Sequence, residues 1–205
     1  MKPAAIGFRV HSGWTSLIVL ALEKNQPVIL VRQRPHLVAT FSYTFRQPYH
    51  TAEKMDLAEA KTFLHQQRSE ARQFALVAIR SAQTEAAQQG FQIKRAALLL
   101  ASGRPLPELA KILASHSIIH TADGEFFREA LLHASVQGDL ALTTFKEREL
   151  LATASTSLRK KTAALTTFIT ALGKPLGSPW TQDEKFASLA AWLALVPNRM
   201  KTDTR

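Results

Sequence analysis

Two histidines four residues apart, His116 and His120, are the first residues whose spacing suggests chemistry, and the carboxylates Asp123 and Glu125 follow them. On one face of a helix, two imidazoles and a carboxylate can bind Zn²⁺ or Fe²⁺. The residues between the histidines, Ser117-Ile118-Ile119, are typical of a connection rather than a helix, and no HExxH sequence is present. We therefore predict no metal site and no cofactor, and we expect His120 to cap or orient the following helix.

A serine beside a histidine, His11-Ser12, suggests a second kind of chemistry. With an acid, this pair could supply a nucleophile, a base and the group that orients the base. No GxSxG sequence supports that interpretation, and neither of the glycine-rich phosphate loops, GxxxxGK[ST] or GxGxxG, occurs. The turn Ser102-Gly103-Arg104 could hold an anion through its hydroxyl and guanidinium groups, although an ordinary tight turn is the simpler explanation. We predict no catalytic residues.

Basic clusters, one of them with aromatic neighbours, indicate a third possibility, nucleic-acid binding. Tyr43, Phe45 and Tyr49 lie close in sequence to Arg46, and rings beside arginines suit base stacking and phosphate contact. No signature of an RRM, KH or zinc-finger module is present, and packing of the rings over the sheet is the alternative. The predicted nucleic-acid contacts are Arg32, Arg34, Arg46, Arg159, Lys160 and Lys161.

The overall charge favours a polyanionic partner, and the composition excludes several other classes. The 205 residues include 26 Lys and Arg and 16 Asp and Glu, a formal net charge of +10. The surplus lies at the two ends, with +5 in residues 1–50, +5 in 151–205 and −2 in 101–150. The absence of cysteine excludes disulfides, thiolate chemistry and cysteine-ligated zinc. A hydrophobic content of 46% argues against disorder.

The chain shows no pattern of a signal peptide, and its apolar run Ser16–Leu22 is too short to span a bilayer. We expect a cytoplasmic protein without membrane contact. No low-complexity linker divides the sequence, so we expect one domain over residues 1–197 and a polar tail over residues 198–205.

The elements that must position these residues follow from hydrophobic patterning and turn signals. The predicted strands are Ala4–His11, Thr15–Glu23, Val28–Arg34, Phe91–Ala101 and Leu140–Phe145. The predicted helices are 54–88, Leu106–Ser115, Asp123–Ser135, Glu147–Leu172 and Asp183–Leu195. Arg46–His50 is predicted to be a surface loop, because a residue before proline is disfavoured in helix, and His116–Thr121 a connection.

This order, three antiparallel strands followed by alternating helices and strands, predicts an α/β mixed sheet with helices on both faces. It resembles the ribonuclease H-like fold over about residues 4–172. At the level of sequence, the segments Arg9–Trp14, Arg46–His50 and Ile119–Glu125 resemble those of a bacterial protein family with no known activity. The resemblance therefore implies a fold and no particular chemistry.

The ribonuclease H-like resemblance implies that a nuclease would need carboxylates around two Mg²⁺ ions, with an Asp in the middle of the first strand and another at the end of the strand after the first helix. The first strand and the later strand Ala96–Ser102 contain no acid. We therefore do not expect two-metal nuclease activity.

The predicted sheet also suggests a small-molecule site. Ligands of open α/β sheets lie beyond the carboxyl ends of parallel strands, where the first strand and the later strand end side by side in this fold. The candidate ligand rim is His11, Ser12, Arg104, His120 and Glu125.

Three functions remain as hypotheses. We favour a non-catalytic protein that binds nucleic acid, RNA in particular, or a scaffold with such a partner. The alternative is an enzyme that acts on a phosphorylated or otherwise anionic small molecule at the candidate ligand rim. A third hypothesis is a protein partner docked on the last helix, which requires exposed apolar side chains at Phe186, Leu189, Leu193 and Val196.

Overall fold

A mixed five-stranded sheet forms the centre of the molecule in the computed structural model, which describes residues 1–101 and 105–196. The strands are β1 (Lys2–His11), β2 (Trp14–Glu23), β3 (Gln26–Gln33), β4 (Phe91–Leu100) and β5 (Ala141–Lys146). The helices are α1 (Tyr43–Arg46), α2 (Pro48–Ala52), α3 (Leu57–Gln88), α4 (Leu109–Leu113), α5 (His116–Gln137), α6 (Leu150–Ser157), α7 (Thr162–Leu172) and α8 (Gln182–Leu195). Arg104 and the predicted tail 198–205 lie outside the described residues.

The strands lie in the order β3-β2-β1-β4-β5. The first three form an antiparallel meander, and β4 and β5 lie parallel to β1. Lys24 and Asn25 in the β2–β3 turn have φ +50° and +62°, as a type I′ hairpin turn requires, and Gly13 in the β1–β2 turn has φ +82°. The ends of β1, β4 and β5 at His11, Leu100 and Lys146 define the carboxyl edge of the sheet.

Helices cover both faces of this sheet, as predicted. Alternate side chains of β1 point to opposite faces, so Ile6 and Phe8 pack with α3 and α5, while Ala5 packs with α6, α7 and α8. Gly7 lies beneath α8, where a Cβ atom would overlap the carbonyl oxygen of Ala187. The absence of a side chain at this position lets α8 lie directly on the sheet.

The predicted long helix Glu147–Leu172 is wrong, because the helix is interrupted at Arg159, which has φ +51°. A continuous helix of that length would be about 39 Å long, and it would carry Leu165 and Ile169 away from the core. The break lets α7 fold back, so that both side chains are buried on the same face of the sheet as α6. Tertiary packing overrides good local helix propensity here.

Two segments predicted to be irregular are helical. The predicted loop Arg46–His50 is wrong, because Pro48 is the first residue of α2. A proline is tolerated there, since the backbone N–H at this position has no hydrogen-bond partner within the helix. The predicted connection His116–Thr121 is also wrong, because α5 begins at His116 and continues to Gln137. His50, His116 and His120 therefore lie on helices and not in loops.

The last helix does not present the apolar surface that a docked partner would need. Leu189 and Leu193 are buried, and Phe186 and Val196 are half-buried against the same core. The helix covers β1, β2 and β4, so the hypothesis of a protein partner on α8 is not supported. In the described part of the chain, no helix is long and apolar enough to cross a membrane.

Candidate functional site

A network of opposite charges lies at the carboxyl edge, between β1, the end of β5 and the beginning of α8. We call it the edge ion network, and its members are Arg9, His11, Arg34, Glu147, Asp183 and Glu184. Arg9 and His11 alternate onto the α8 face of β1. The Arg9 guanidinium bonds to Glu147, with Nη2 2.6 Å from Oε1, and to Asp183. The Glu147 hydrogen bond raises the pKa of Arg9, against the opposing effect of burial.

His11 completes this arrangement on the other side of Asp183. Its Nε2 lies 2.8 Å from Oδ1 of Asp183, and its ring stacks on Trp14 with centroids 4.3 Å apart. Burial alone would raise the pKa of Asp183, but the hydrogen bonds from His11 and Arg9 lower it below its usual value. Asp183 is therefore a carboxylate that the fold keeps ionised.

Glu184 serves the helix as well as the network. Its Oε2 accepts from the backbone nitrogen of Thr181 at 2.7 Å, and the two residues form a capping box at the start of α8. Nε of Arg34 donates to Oε1 at 2.7 Å. Burial would raise the pKa of Glu184, yet the bonds from Thr181 and Arg34 lower it. The Thr-x-x-Glu spacing is a sequence signal that could have found this contact.

The edge ion network holds two carboxylates on a guanidinium rather than on a metal ion. Glu147 and Asp183 converge on Arg9, which stands in β1, the strand where the resemblance implied an acid in a nuclease. Neither β1 nor β4 contains an acid, as predicted. The convergence itself could not be predicted, because the two carboxylates are 36 residues apart in sequence and meet only in the fold.

The candidate ligand rim is divided between separate environments. His11 belongs to the edge ion network, and the Ser12 carbonyl accepts from Nε of Arg46 at 3.1 Å. Glu125 pairs with Arg128 at 3.0 Å and lines a cavity of about 280 Å³ that none of the other described rim residues lines. Within residues 1–101 and 105–196, no hydrogen bond or ion pair joins these residues to one another or to His120, and Arg104 is not described. This arrangement does not favour the small-molecule enzyme.

The segment after β3 lies against the β1–β2 turn and carries exposed rings beside an arginine. We call this set of residues the aromatic surface: His36, Phe41, Tyr43 and Arg46. Phe41 stacks on His36 with centroids 4.3 Å apart, and the Arg46 guanidinium lies 4.3 Å from the centre of the Phe41 ring. Phe41 remains 42% exposed and Tyr43 60% exposed. The Leu37 nitrogen donates to the Gly13 carbonyl at 2.8 Å, which fixes this segment on the turn.

The predicted nucleic-acid contacts lie in three different environments. Arg32 donates to three carbonyl groups of the α7–α8 loop, at Leu176, Gly177 and Pro179, and Arg34 belongs to the edge ion network. Arg159, Lys160 and Lys161 form the exposed turn between α6 and α7, and no ion pair in the described residues involves them. Arg46 is oriented by Ser12 and Phe41. Arg32 and Arg34 therefore hold parts of the fold together, whereas the turn Arg159–Lys161 leaves its charges free.

A cluster of three imidazoles lies beside the aromatic surface. We call it the histidine cluster: His50 from α2, and His116 and His120 from α5, with one ring nitrogen of each within 4.8 Å of the others. Nδ1 of His50 lies 2.5 Å from Oδ2 of Asp123, whose Oδ1 accepts from the Tyr49 nitrogen at 2.7 Å. Burial raises the pKa of Asp123, although its hydrogen bond to His50 works in the opposite direction.

The spacing of His116 and His120 was visible in the sequence. Because that segment was interpreted as a connection, the sequence did not show that the two side chains lie on one face of a helix. The third histidine could not be found by spacing, because His50 lies 66 residues before His116 and reaches it only through the packing of α2 on α5.

The strand order and the helices on both faces define the ribonuclease H-like class of α/β fold, which is the fold predicted from the sequence. Among solved structures, RuvC of Thermus thermophilus has this fold. Its complex with a Holliday junction substrate matches with a TM-score of 0.52 and 10% sequence identity, over 96% of this chain and 95% of that chain. Another structure of Thermus thermophilus RuvC matches with a TM-score of 0.48 and 10% identity, over 93% and 92% of the two chains. No protein-family model and no curated protein matches the chain.

Proposed function

We propose that this protein binds nucleic acid without cleaving it, and that unpaired bases, those of RNA in particular, stack on the aromatic surface. The observation that carries the proposal is the exposure of Phe41 and Tyr43 beside Arg46. Among the phenylalanine, tyrosine and tryptophan side chains of the described residues, these two are the most exposed. Stacking of a base on an aromatic side chain contributes about 1–3 kcal/mol.

Phosphate contact is the second part of the proposal. The exposed turn Arg159–Lys161 has no carboxylate partner among the described residues, so its charges are available to a polyanion. The formal net charge of +10 favours the same class of partner. Arg32 and Arg34, which we predicted as contacts, act in this proposal by holding the α7–α8 loop and the start of α8 in place.

The absence of cleavage is supported by the edge ion network. A two-metal nuclease needs several carboxylate oxygens free to bind Mg²⁺. Here Glu147 and Asp183 are both bonded to Arg9, and Glu184 is bonded to Arg34 and Thr181. A guanidinium between two carboxylates repels a second cation from the same position.

The likeness to RuvC supports the class of partner. The RuvC chain in question is in complex with a Holliday junction substrate, so a protein of this fold binds nucleic acid. At 10% identity, we transfer neither the junction nor the reaction to this chain.

Fluorescence anisotropy tests the proposal with labelled single-stranded RNA, single-stranded DNA and a four-way DNA junction at low salt. We expect the wild type to bind RNA most tightly. We expect Phe41→Ala and Tyr43→Ala each to weaken binding by about 5- to 100-fold, because each removes a stacking platform. Gels of the same mixtures with Mg²⁺ should show intact strands.

Val77→Ala is the matched control, since Val77 is an apolar side chain on α3 that is 65% exposed. It should bind like the wild type. Failure of all three probes to bind at low salt would reject the function. Unchanged binding by both aromatic variants would reject the interface, and Mg²⁺-dependent cleavage would reject the non-catalytic interpretation.

A further inference from the structure

We propose that the histidine cluster binds one divalent transition-metal ion of the Zn²⁺ class. This proposal does not rest on nucleic-acid binding, although the Tyr43 ring of the aromatic surface lies beside His50, with ring centroids 6.4 Å apart. The three imidazoles of the cluster come from two helices, and one ring nitrogen of each lies within 4.8 Å of the others. Neutral imidazole is a preferred ligand of Zn²⁺, Co²⁺ and Ni²⁺, and three protein ligands leave one position of a tetrahedral ion open.

The spacing on α5 provides two of the ligands. His116 and His120 are separated by one helical turn, and their Nε2 atoms lie 3.1 Å apart. Two nitrogens bound to Zn²⁺ at about 2.0–2.1 Å in a tetrahedron lie about 3.3 Å apart. The separation of the two Nε2 atoms is therefore already close to the one that a shared ion needs, and the ion would replace the hydrogen bond between them.

The third ligand is held in place by a carboxylate. His50 is buried, and its Nδ1 is bonded to Oδ2 of Asp123 at 2.5 Å. Nε2 of His50 has no hydrogen-bond partner in the described residues, so it is the nitrogen left for a metal. A ligand histidine whose other nitrogen is bonded to a carboxylate is the usual arrangement around protein-bound zinc, because the carboxylate fixes the ring and increases its basicity.

Asp123 is anchored in turn. Its other oxygen accepts from the Tyr49 backbone nitrogen at 2.7 Å, which ties the carboxylate of α5 to the backbone of α2. Both Asp123 and His50 are more than nine-tenths buried, whereas His116 and His120 are exposed. The site is therefore rigid on its inner side and open to solvent on the outer side, where an ion can enter and the fourth ligand can be water.

Titration of the metal-free 205-residue chain with Co²⁺ and Zn²⁺ tests the proposal. We expect one ion per chain, a visible Co²⁺ absorption band typical of tetrahedral coordination, and a higher melting temperature with Zn²⁺ because the ion links α2 to α5. His116→Ala and His120→Ala should each weaken binding by about 10-fold or more. Asp123→Asn, which keeps an acceptor for Tyr49, should weaken binding by about 10- to 100-fold.

The matched control is His133→Ala, since His133 is another exposed histidine on α5 and lies outside the cluster. It should leave the affinity, the absorption band and the Zn²⁺ effect on melting unchanged. The proposal is overturned if the wild type binds no ion or binds as weakly as His116→Ala. Equal binding by wild type and Asp123→Asn, with an octahedral Co²⁺ spectrum, would assign a two-histidine surface chelate and also reject the site.

Discussion

Asp183 shows how one carboxylate can be held by several elements at the same time. It bonds to Arg9 and His11 on β1, while its own backbone lies in the first turn of α8. The positive end of the helix favours a negative charge at that position as well. The ionised form of Asp183 is thus favoured by contacts that exist only in the folded chain, and this links its protonation to stability.

The pH dependence of unfolding tests that link. The pKa of Asp183 is lower in the folded chain than its usual value, so its contribution to stability is present above about pH 4 and is lost as the pH falls through the folded pKa. We expect Asp183→Asn to reduce the loss of stability as the pH falls below about 4. Urea unfolding at a series of pH values measures the free energy of unfolding.

Glu23→Gln is the control for the loss of one negative charge, because Glu23 forms an exposed pair with Lys2. Its acid dependence should resemble that of the wild type more closely than that of Asp183→Asn. An acid limb of the same steepness in Asp183→Asn and the wild type would contradict the linkage.

At the residue scale, the sequence predicted what the edge lacks better than what it contains. The missing acids in β1 and β4 could be read directly, because both strands are well defined by their apolar patterns. The pairing of Glu147 and Asp183 with Arg9 could not be read, because it joins three elements that only the sheet topology brings together. Local patterns do not encode such long-range contacts.

At the scale of elements, the contact between α8 and β1 determines how closely the helix packs on the sheet. The absence of a side chain at Gly7 lets the helix approach the strand, and this approach carries Asp183 and Glu184 to the carboxyl edge. The close packing of the helix and the composition of the edge ion network thus depend on the same glycine.

Gly7→Ala tests this dependence. The added Cβ would meet the backbone of Ala187, which cannot move as a side chain can, so we expect a loss of about 3 kcal/mol in the free energy of unfolding. Urea denaturation provides the measurement. Gly124→Ala on α5 is the contrasting variant, since its Cβ would meet only Nη1 of Arg128, at 3.3 Å, and no backbone atom of another element. Its effect on the free energy of unfolding should stay below about 1 kcal/mol, because the gain in helix propensity offsets that contact. A Gly7→Ala variant as stable as the wild type would contradict this dependence.

Most elements could be predicted from the sequence, and the exceptions have a common cause. The five strands and α3 follow their hydrophobic periodicity to within a few residues. The break at Arg159 and the helical start at His116 do not, because each is fixed by packing onto the sheet or onto α2. The candidate sites depend on these exceptions, so the sequence located the histidines without showing that they meet.

At the scale of the whole molecule, the excess positive charge is not spread uniformly among free side chains. Arg9, Arg34 and Arg72 are bonded to carboxylates, and Arg32 is bonded to carbonyl groups. The turn Arg159–Lys161 is different, because its charges have no such partner in the part of the chain that is described. We therefore expect this turn to carry a large share of the attraction for a polyanion.

Changing Arg159, Lys160 and Lys161 together to Gln tests this distribution. If all three neutralise phosphates of a single strand, the slope of log Kd against log salt concentration should fall by about 2. The control is the triple variant Lys24→Gln, Lys61→Gln and Arg80→Gln, which removes the same charge from exposed positions on the hairpin and α3. Equal slopes for the two triple variants would show that net charge, and not this turn, governs binding.

The cation at the carboxyl edge has a consequence for how the protein responds to its surroundings. A metal ion held by carboxylates dissociates, so its occupancy varies with the supply of the ion and falls in a chelator. The guanidinium of Arg9 is covalently attached to β1, and it keeps its charge throughout the physiological pH range. The position between Glu147 and Asp183 therefore holds a positive charge that neither magnesium starvation nor EDTA removes.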